Sequence, residues 1–341
     1  MSTMRAAYLV APHRFELREV ARPEPGPDDV LIRIARTGIC GTDLHIFHGH
    51  YAAEHLPMIP GHEFTGHVAE VGTSVTYLAP GQPVVVDMNI GCTRCYWCRR
   101  NEVLNCPQMQ QLGITMDGAF AEFIAVPARL VIPASTDVPP QVLALTEPLA
   151  CVVRAARKAG VSFGQSAVVI GAGPIGNLHV QLLRTIGVAP IIATDVSPDR
   201  LELARRCGAD HAVLPDHLTA TVQQATDGRG ADIVIESVGQ ITLYKQAQSL
   251  MRKGGHLALF GLTGAGETLP VDVLNAILTE TSLKGSVAGM GQDMYDALTL
   301  LSHDRINTEP FVGAEFALND IQSAFDSYAD RPQDLKTQIV M

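Results

Sequence analysis

The stretch "SAVVIGAGPIGNLHVQLLRTIG", residues 166–187, decides the fold of the second half of the chain. It consists of a short apolar run, three glycines in G-x-G-x-x-G spacing and an amphipathic run of helical period. The next apolar run, "PIIATD", ends in Asp195, about 20 residues after the last glycine. A glycine triplet alone also occurs in structural turns. With a strand before it, a helix after it and an acidic end to the second strand, it predicts a dinucleotide-binding unit.

Each glycine of this turn has a separate physical role. Gly171 permits the tight turn, Gly173 lets backbone N–H groups approach a pyrophosphate, and Gly176 lets the helix pack closely on the sheet. Pro174 and Ile175 open the helix, whose N-terminus attracts the phosphates. The sequence therefore predicts that residues 171–176 bind the pyrophosphate of a dinucleotide.

Asp195 predicts which dinucleotide is bound. A carboxylate at the end of the second strand accepts hydrogen bonds from the adenosine ribose hydroxyls and repels a 2′-phosphate, which favours NAD over NADP. An alternative is that Asp195 caps the following helix, although Ser197 is equally placed to do so. Arg200 is close enough in sequence to reach a phosphate, so use of both cofactors stays open.

Composition limits the classes of function. The chain has 341 residues, 47% of them hydrophobic, and its 35 acidic against 25 basic side chains give a formal charge of −10. An acidic balance argues against nucleic acid or an anionic membrane as partner. No apolar run reaches the roughly 18 residues of a membrane span, and no secretory signal pattern is present, so a cytoplasmic location is expected. In that compartment the seven cysteines are expected to be ligands or core residues.

Three segments differ in pattern. Residues 1–148 contain short β-like runs such as "VLIRIARTG" and "QPVVVDM" between Gly/Pro turns, with little helical periodicity. Residues 149–285 alternate continuous apolar runs with helical runs, which is typical of a parallel sheet covered on both faces. Residues 286–341 include two further helix-like runs. The sequence thus predicts a β-rich domain, a doubly wound α/β domain and a C-terminal segment.

A cysteine array marks a metal site within the first segment. Residues 91–107 contain a C-x2-C-x2-C-x7-C pattern formed by Cys92, Cys95, Cys98 and Cys106. Four thiolates from one lobe suit a closed tetrahedral zinc site, with no position left for a substrate. An iron–sulfur cluster is the competing metal assignment, and unligated cysteines are the third possibility.

A second group of candidate ligands lies outside this lobe. Cys40, in "TGICGTDLHIFHGH", is followed by His62 and Glu63 in "PGHEFTGH", and Glu147 lies where the first two segments meet. Cysteine, histidine and carboxylate ligands are typical of a catalytic zinc with one open position. Taken singly, each residue also has an ordinary structural explanation.

Together these motifs resemble the zinc-dependent medium-chain dehydrogenases over nearly the whole chain. "GICGTDLHI", "PGHEFTGHV", "GCTRCYWCRRNEVLNC", "EPLACVV" and "VVIGAGPIG" occur in that family's order, in forms similar to its sorbitol and threonine dehydrogenase branch. The resemblance implies a GroES-like β-rich catalytic domain and a Rossmann domain. It also implies that Cys40 and His62 bind the catalytic zinc, with Glu63 as a direct or exchanging ligand. Glu147 would be a ligand or support one, and Cys151 is an alternative.

The family resemblance also assigns a mechanism. Zinc lowers the pKa of the alcohol so that an alkoxide forms near neutral pH and passes hydride to nicotinamide. Thr42 resembles the hydroxyl that contacts the substrate oxygen, and His45 resembles the histidine that passes the proton to solvent. Asp43 is expected to be structural. We interpret His48 and His50 as exposed loop residues.

Further implications concern cofactor, subunits and substrate. Val238 in "ESVG", and Gly261 and Leu262 in "FGLTG", resemble cofactor contacts at strand ends. Residues 283–289 resemble a segment that pairs subunits, implying a homodimer or homotetramer. The expected substrate is a small secondary alcohol, namely a polyol, sugar alcohol or diol. Simple alcohols, threonine, or a non-catalytic NAD-binding zinc protein are the alternatives, and residues 285–298 lack an arginine expected of sorbitol and threonine enzymes.

Overall fold

The structure is a computed structural model in which residues 2–331 and 334–341 are described. The chain divides into two compact units. The first comprises residues 1–150, 289–304 and 311–341, and the second comprises residues 151–288 and 305–310. The sequence predicts boundaries after residues 148 and 285, whereas the structure has them after residues 150 and 288. Residues 305–310, which the sequence assigns to the C-terminal segment, lie in the second unit.

The first unit is built mainly from short strands, and its early part also contains three short helices that the sequence pattern does not show. In chain order the elements are β1 (Thr3–Ala11), β2 (Arg14–Ala21), β3 (Asp29–Gly38), α1 (Gly41–Phe47), β4 (Glu63–Val71), β5 (Pro83–Val86), β6 (Asn89–Ile90), α2 (Tyr96–Arg99), β7 (Gln110–Gln111), β8 (Phe123–Pro127), β9 (Val131–Pro133) and α3 (Pro140–Leu143). Single 3-10 turns occupy Ala53–His55, Val103–Asn105 and Ala128–Leu130.

The second unit begins within helix α4 and contains alternating strands and helices. The elements are α4 (Thr146–Ala159), β10 (Ala167–Ile170), α5 (Pro174–Ile186), β11 (Ile191–Thr194), α6 (Pro198–Cys207), β12 (His211–Val213), α7 (Pro215–Ala225), β13 (Ala231–Glu236), α8 (Ile241–Leu250), β14 (Met251–Leu259), α9 (Val273–Thr279) and β15 (Ser282–Gly285). The chain then returns to the first unit with α10 (Gln292–Ser302), β16 (Glu315–Ala317), α11 (Ile321–Asp326) and β17 (Gln338–Val340).

The sheet of the second unit confirms the doubly wound prediction. Its strand order is β12-β11-β10-β13-β14-β15, and neighbouring strands are parallel. This order reverses direction at β10 and β13, and ligands of such sheets bind at the carboxyl ends of the strands near this point. Because both faces of the sheet are covered by helices, β10 and β11 are buried along their whole length.

The main sheet of the first unit places the C-terminal strand of the chain beside β3. Its strand order is β16-β17-β3-β4-β5-β9, with β8 also paired to β3. Strand β17 pairs antiparallel with β3, placing Gln338 opposite Gly38, and Gly38 is opposite Glu63 on β4. This register sets the C-terminal strand beside the "GHE" segment, which the sequence pattern alone does not predict. In the described part of the chain, no helix is long and apolar enough to cross a membrane.

Candidate metal centres and dinucleotide site

One cluster of ligand atoms lies inside the first unit. Cys40, His62 and Glu63 each offer a donor atom, and these atoms lie within 4.8 Å of one another. Cys40 precedes helix α1, whereas His62 and Glu63 lie at the start of β4. Both His62 and Glu63 are almost completely buried. A half-buried thiol together with a buried imidazole and a buried carboxylate is a donor set that fits zinc.

Asp43 fixes the orientation of this cluster. Its carboxylate accepts the backbone N–H of Cys40 at 3.0 Å and that of Gly61 at 3.2 Å, and it lies 3.5 Å from Nδ1 of His62. A carboxylate on one imidazole nitrogen favours the tautomer that leaves the other nitrogen available to a metal. The expectation that Asp43 is structural agrees with these contacts, and the contacts also give it a place beside the candidate ligands.

The charge around His62 favours cations. Burial by itself would lower the pKa of His62, but the carboxylate of Asp43 and then the thiol of Cys40 outweigh burial and raise that pKa well above its ordinary value. The cluster therefore binds positive charge at His62, in the form of a proton when no metal is present.

Lys336 is a site residue that the sequence analysis misses. Its ammonium group forms an ion pair with the carboxylate of Glu63, and both side chains are almost wholly buried. Burial would lower the pKa of Lys336, but the charge of Glu63, followed by Cys40, raises it, so the lysine stays protonated. Gly38 lies against the same pair, and a Cβ atom at this position would clash with both side chains. Glycine is therefore required here for space.

The remaining catalytic candidates lie on helices of the same unit. Thr42 and His45 are three residues apart on α1, which places them on one face of that helix. Thr42 is half-buried, whereas His45 is exposed. Glu147 is buried in the first turn of α4. Among the described residues, Glu147 is not part of the compact donor group.

The four lobe cysteines form the second group of ligand atoms. The sulfur atoms of Cys92, Cys95, Cys98 and Cys106 lie within 4.8 Å of one another. Backbone N–H groups point at these sulfurs, from Cys95 to Cys92 at 3.4 Å and from Gln108 to Cys106 at 3.4 Å. The N–H groups of Arg94 and Cys95 lower the pKa of the Cys92 thiol. None of the seven cysteines, all within the described residues, forms a disulfide. The four sulfur atoms therefore suit one tetrahedral zinc ion with no open coordination position.

The three glycines of the dinucleotide turn have different steric surroundings. Gly171 adopts φ +95°, and a Cβ atom there would lie 2.6 Å from Val238. Gly176 packs so closely on the backbone of Gly171 that no side chain fits. A Cβ atom on Gly173, by contrast, would meet nothing within 4 Å. This open space at the N-terminus of α5, just before Pro174 and Ile175, is where a pyrophosphate would fit.

Asp195 ends β11 beside this turn. One carboxylate oxygen accepts the N–H of Ala172 and the other accepts that of Ser197, both at 2.9 Å. The guanidinium of Arg200 lies 3.8 Å away. Ser197 caps helix α6, so Asp195 does not act as that helix's cap. A carboxylate has about four acceptor positions, so Asp195 keeps capacity for ribose hydroxyls.

The other predicted cofactor contacts lie at the ends of neighbouring strands. Glu236, at the end of β13, accepts the N–H groups of Val238 and Gly239 at 3.0 and 2.9 Å. The carbonyl oxygen of Gly261, just after β14, accepts a hydrogen bond of 2.7 Å from the hydroxyl of Tyr244. This bond holds the turn that follows β14. Val238 and Leu262 are exposed at these turns. Glu236 is therefore a buried anchor for the turn that the sequence analysis does not single out.

Comparisons with known proteins agree with this architecture. Residues 26–136 match the model of the alcohol dehydrogenase GroES-like domain, and residues 174–303 match that of the zinc-binding dehydrogenase domain. The L-threonine 3-dehydrogenase of Pyrococcus abyssi is 33% identical over 92% of this chain and 90% of the relative. The sorbitol dehydrogenase of Halalkalibacterium halodurans is 33% identical over 91% of each chain.

A solved structure extends the likeness to three dimensions. A zinc-binding dehydrogenase from Sinorhizobium meliloti, crystallised with NADP, has a TM-score of 0.93 and 30% identity, with both chains fully covered. The chain belongs to the zinc-dependent medium-chain dehydrogenases. It is accordingly an alcohol dehydrogenase type of oxidoreductase that uses zinc and a nicotinamide cofactor.

Proposed function

We propose that the protein oxidises a small secondary alcohol, of the polyol, sugar-alcohol or diol type, to the ketone and transfers the hydride to NAD. The compact Cys40–His62–Glu63 donor group is the observation that carries this proposal. It occurs in a chain whose second unit has the dinucleotide turn and Asp195. A metal-supported alcohol site and a nicotinamide site are the two components that such a reaction needs.

Zinc binding at the donor group follows from its chemistry. Cys40 and His62 are the protein ligands, and Glu63 is a direct or exchanging ligand that Lys336 holds in place. Glu147 is a further ligand or a supporting carboxylate. When bound, zinc supplies a Lewis acid that lowers the pKa of the alcohol oxygen. A separate zinc bound by Cys92, Cys95, Cys98 and Cys106 serves structure alone, because four thiolates leave no open position.

The protein's own residues move the proton. Thr42 accepts a hydrogen bond from the alcohol hydroxyl, and as it takes up that proton it releases its own hydroxyl proton towards His45. His45, on the same face of α1 and exposed, passes the proton to solvent. An imidazole that can both bind and release a proton suits this role. Asp43 keeps the ring of His62 in a fixed orientation.

Cofactor preference depends on Asp195. Its position and its remaining acceptor capacity support NAD, because a 2′-phosphate would be repelled by the carboxylate. Arg200, 3.8 Å from that carboxylate, is the group that would favour NADP, and the related S. meliloti structure contains NADP. We propose NAD as the main cofactor and test the preference below.

The polyol class is supported by the acidic ligand set and by the named sorbitol dehydrogenase relative. A threonine-type substrate is the second candidate, because several relatives of 33% identity are named L-threonine 3-dehydrogenases. Leaving hydroxyls of a polyol unpaired in a closed site costs about 1–3 kcal/mol each, so turnover should discriminate sharply between substrate classes.

We also propose that the protein is a cytoplasmic homodimer, paired through the second unit. Helix α9 exposes Val273, Leu274, Ile277 and Leu278 by 65–73% each, and β15 beside it is the edge strand of the parallel sheet. An edge strand flanked by apolar side chains is suited to pairing with a second copy. Light scattering should give a dimeric mass for the wild type and a monomeric mass for Ile277→Asp. Equal masses for the two proteins would show that this surface is not the dimer interface.

The decisive experiment is a turnover screen with metal counting. Zinc-loaded protein and NAD are mixed with polyols, diols, threonine, simple secondary alcohols and primary alcohols, and absorbance at 340 nm is followed. We expect selective turnover of a polyol or diol, two zinc ions per chain in the wild type, and one in inactive Cys40→Ser. Two zinc ions in Cys40→Ser, or preferred turnover of primary alcohols, would refute the proposal.

A further inference from the structure

Several imidazoles crowd the end of helix α1, apart from the donor group described above. His13 lies in the turn between β1 and β2, and His48 is the residue at the C-terminal end of α1. Their backbones are fixed, because the N–H of His13 donates to the carbonyl of Phe47 at 2.7 Å and that of His48 to Leu44 at 2.9 Å. His13 and His48 are both exposed to solvent.

The distance between the facing nitrogens of the two rings indicates what kind of contact they make. Nε2 of His13 lies 3.4 Å from Nδ1 of His48, with the ring centroids 4.8 Å apart. A normal N–H hydrogen bond spans about 2.7–3.2 Å. Two nitrogens that each ligate one tetrahedral ion at about 2.0–2.1 Å are separated by about 3.3 Å. The observed separation therefore matches two ligands of one metal ion better than it matches a direct hydrogen bond.

The surroundings hold this pair ready for a ligand. The ring of Phe47 contacts both imidazoles, with centroids 5.0 Å from His13 and 5.5 Å from His48. The ring of His50 lies 5.8 Å from that of His48, but among the described residues these three histidines do not form a compact donor group. Burial, followed by the charges of His13, His50 and His45, lowers the pKa of His48. Its neutral form, the form that binds metals, is therefore favoured at neutral pH.

We propose that His13 and His48 form a two-histidine binding site for a transition-metal dication of the Zn²⁺ or Ni²⁺ type, separate from both cysteine-containing centres. Imidazoles without thiolates suit these ions, and solvent supplies the remaining ligands. The ion would join the β1–β2 turn to the end of α1, and it would exchange more readily than the cysteine-bound zinc ions. This site is independent of the proposed reaction, because His13 takes no part in it.

Metal titration tests the site on tag-free, zinc-loaded protein that has been dialysed to remove readily exchanging metal, which leaves the two cysteine-bound zinc ions in place. Calorimetry with Ni²⁺, in a buffer that does not bind metals, is expected to show one additional equivalent bound at micromolar affinity. His13→Asn should weaken this event at least tenfold, because asparagine tolerates the left-handed backbone of φ +63° while removing one ligand. His217→Asn, which changes an exposed histidine on α7, is the matched control and should bind as the wild type does.

Two further measurements keep the result unambiguous. Ni²⁺ should raise the melting temperature of the wild type and of His217→Asn but not of His13→Asn. It should not raise the melting temperature of His48→Gln either. Turnover by His13→Asn without added metal should equal that of the wild type, which separates ligand loss from misfolding. Equal Ni²⁺ affinity in the wild type, His13→Asn and His48→Gln would overturn the assignment, as would the absence of any additional equivalent.

Discussion

Replacing Lys336 with methionine is expected to destabilise the first unit far more than an ordinary lysine substitution. Lys336 and Glu63 form an ion pair in which both side chains are about 4% exposed or less. Methionine keeps the length of the side chain but leaves the carboxylate of Glu63 buried opposite an apolar group. Removing one partner of a buried ion pair costs about 3–5 kcal/mol, chiefly because the other charge is left uncompensated. We expect a loss of that size in the free energy of unfolding.

A double-mutant cycle isolates the pair. In Glu63→Gln/Lys336→Met no unpaired charge remains, so the double variant should recover about 1–3 kcal/mol relative to the sum of the single variants. Lys245→Met, on the exposed side of α8, is the matched control and should stay within about 0.5 kcal/mol of the wild type.

Urea unfolding of the zinc-loaded proteins measures these differences. Trp97 is the only tryptophan of the chain and lies in the same unit as the pair, so its fluorescence, followed together with far-UV circular dichroism, reports on that unit. The midpoint should fall in Lys336→Met with an unchanged denaturant slope. If Lys336→Met unfolds like Lys245→Met, or if the two single losses simply add, the buried ion pair does not contribute in the way argued.

Three further changes test the cofactor, the lobe and the proton path. Asp195→Ala should lower kcat/KM for NAD at least tenfold, since a hydrogen bond to a charged group contributes about 1.5–3 kcal/mol. It should also move the cofactor preference towards NADP. An unchanged ratio of kcat/KM for NAD to that for NADP in steady-state kinetics contradicts the argument. Cys92→Ser should remove one zinc per chain by metal analysis and shift the emission of Trp97, whereas Cys40→Ser should remove a different zinc and leave that emission in place. His45→Gln should slow turnover at neutral pH and lose part of its deficit in alkaline buffer, and a pH–rate profile parallel to the wild type excludes His45 from the proton path.

The sequence predicts best those features that depend on neighbouring residues. The roles of Gly171, Gly173 and Gly176 follow from a short spacing between one strand and one helix, and the structure gives each glycine a different steric environment. The lobe cysteines come together for the same reason, since 15 residues contain all four. Asp43 had a usable signal, because it lies three residues after Cys40 and so is placed to bond the backbone at the start of α1.

Features that depend on distant pairing could not be predicted. Lys336 reaches Glu63 only because β17 pairs with β3 and β3 pairs with β4, and nothing in the run "LKTQIV" indicates a buried ammonium group. The contact of His13 with His48 joins a turn to a helix end 35 residues later, so each histidine looks like an ordinary loop residue in sequence. The return of residues 305–310 to the second unit is similarly a matter of packing, for which local composition gives no signal.

The placement of Lys336 explains why the donor group suits a divalent cation. With Cys40 as thiolate and Glu63 and Asp43 as carboxylates, three negative charges surround a neutral His62, and the ammonium of Lys336 offsets one of them. The remaining two negative charges match one Zn²⁺, so a bound dication brings the buried group close to neutral. In the absence of a metal the same group must take up protons, which is why Asp43 and Cys40 raise the pKa of His62. Zinc therefore displaces protons as it binds, and Lys336 sets the residual charge that makes a dication the preferred occupant.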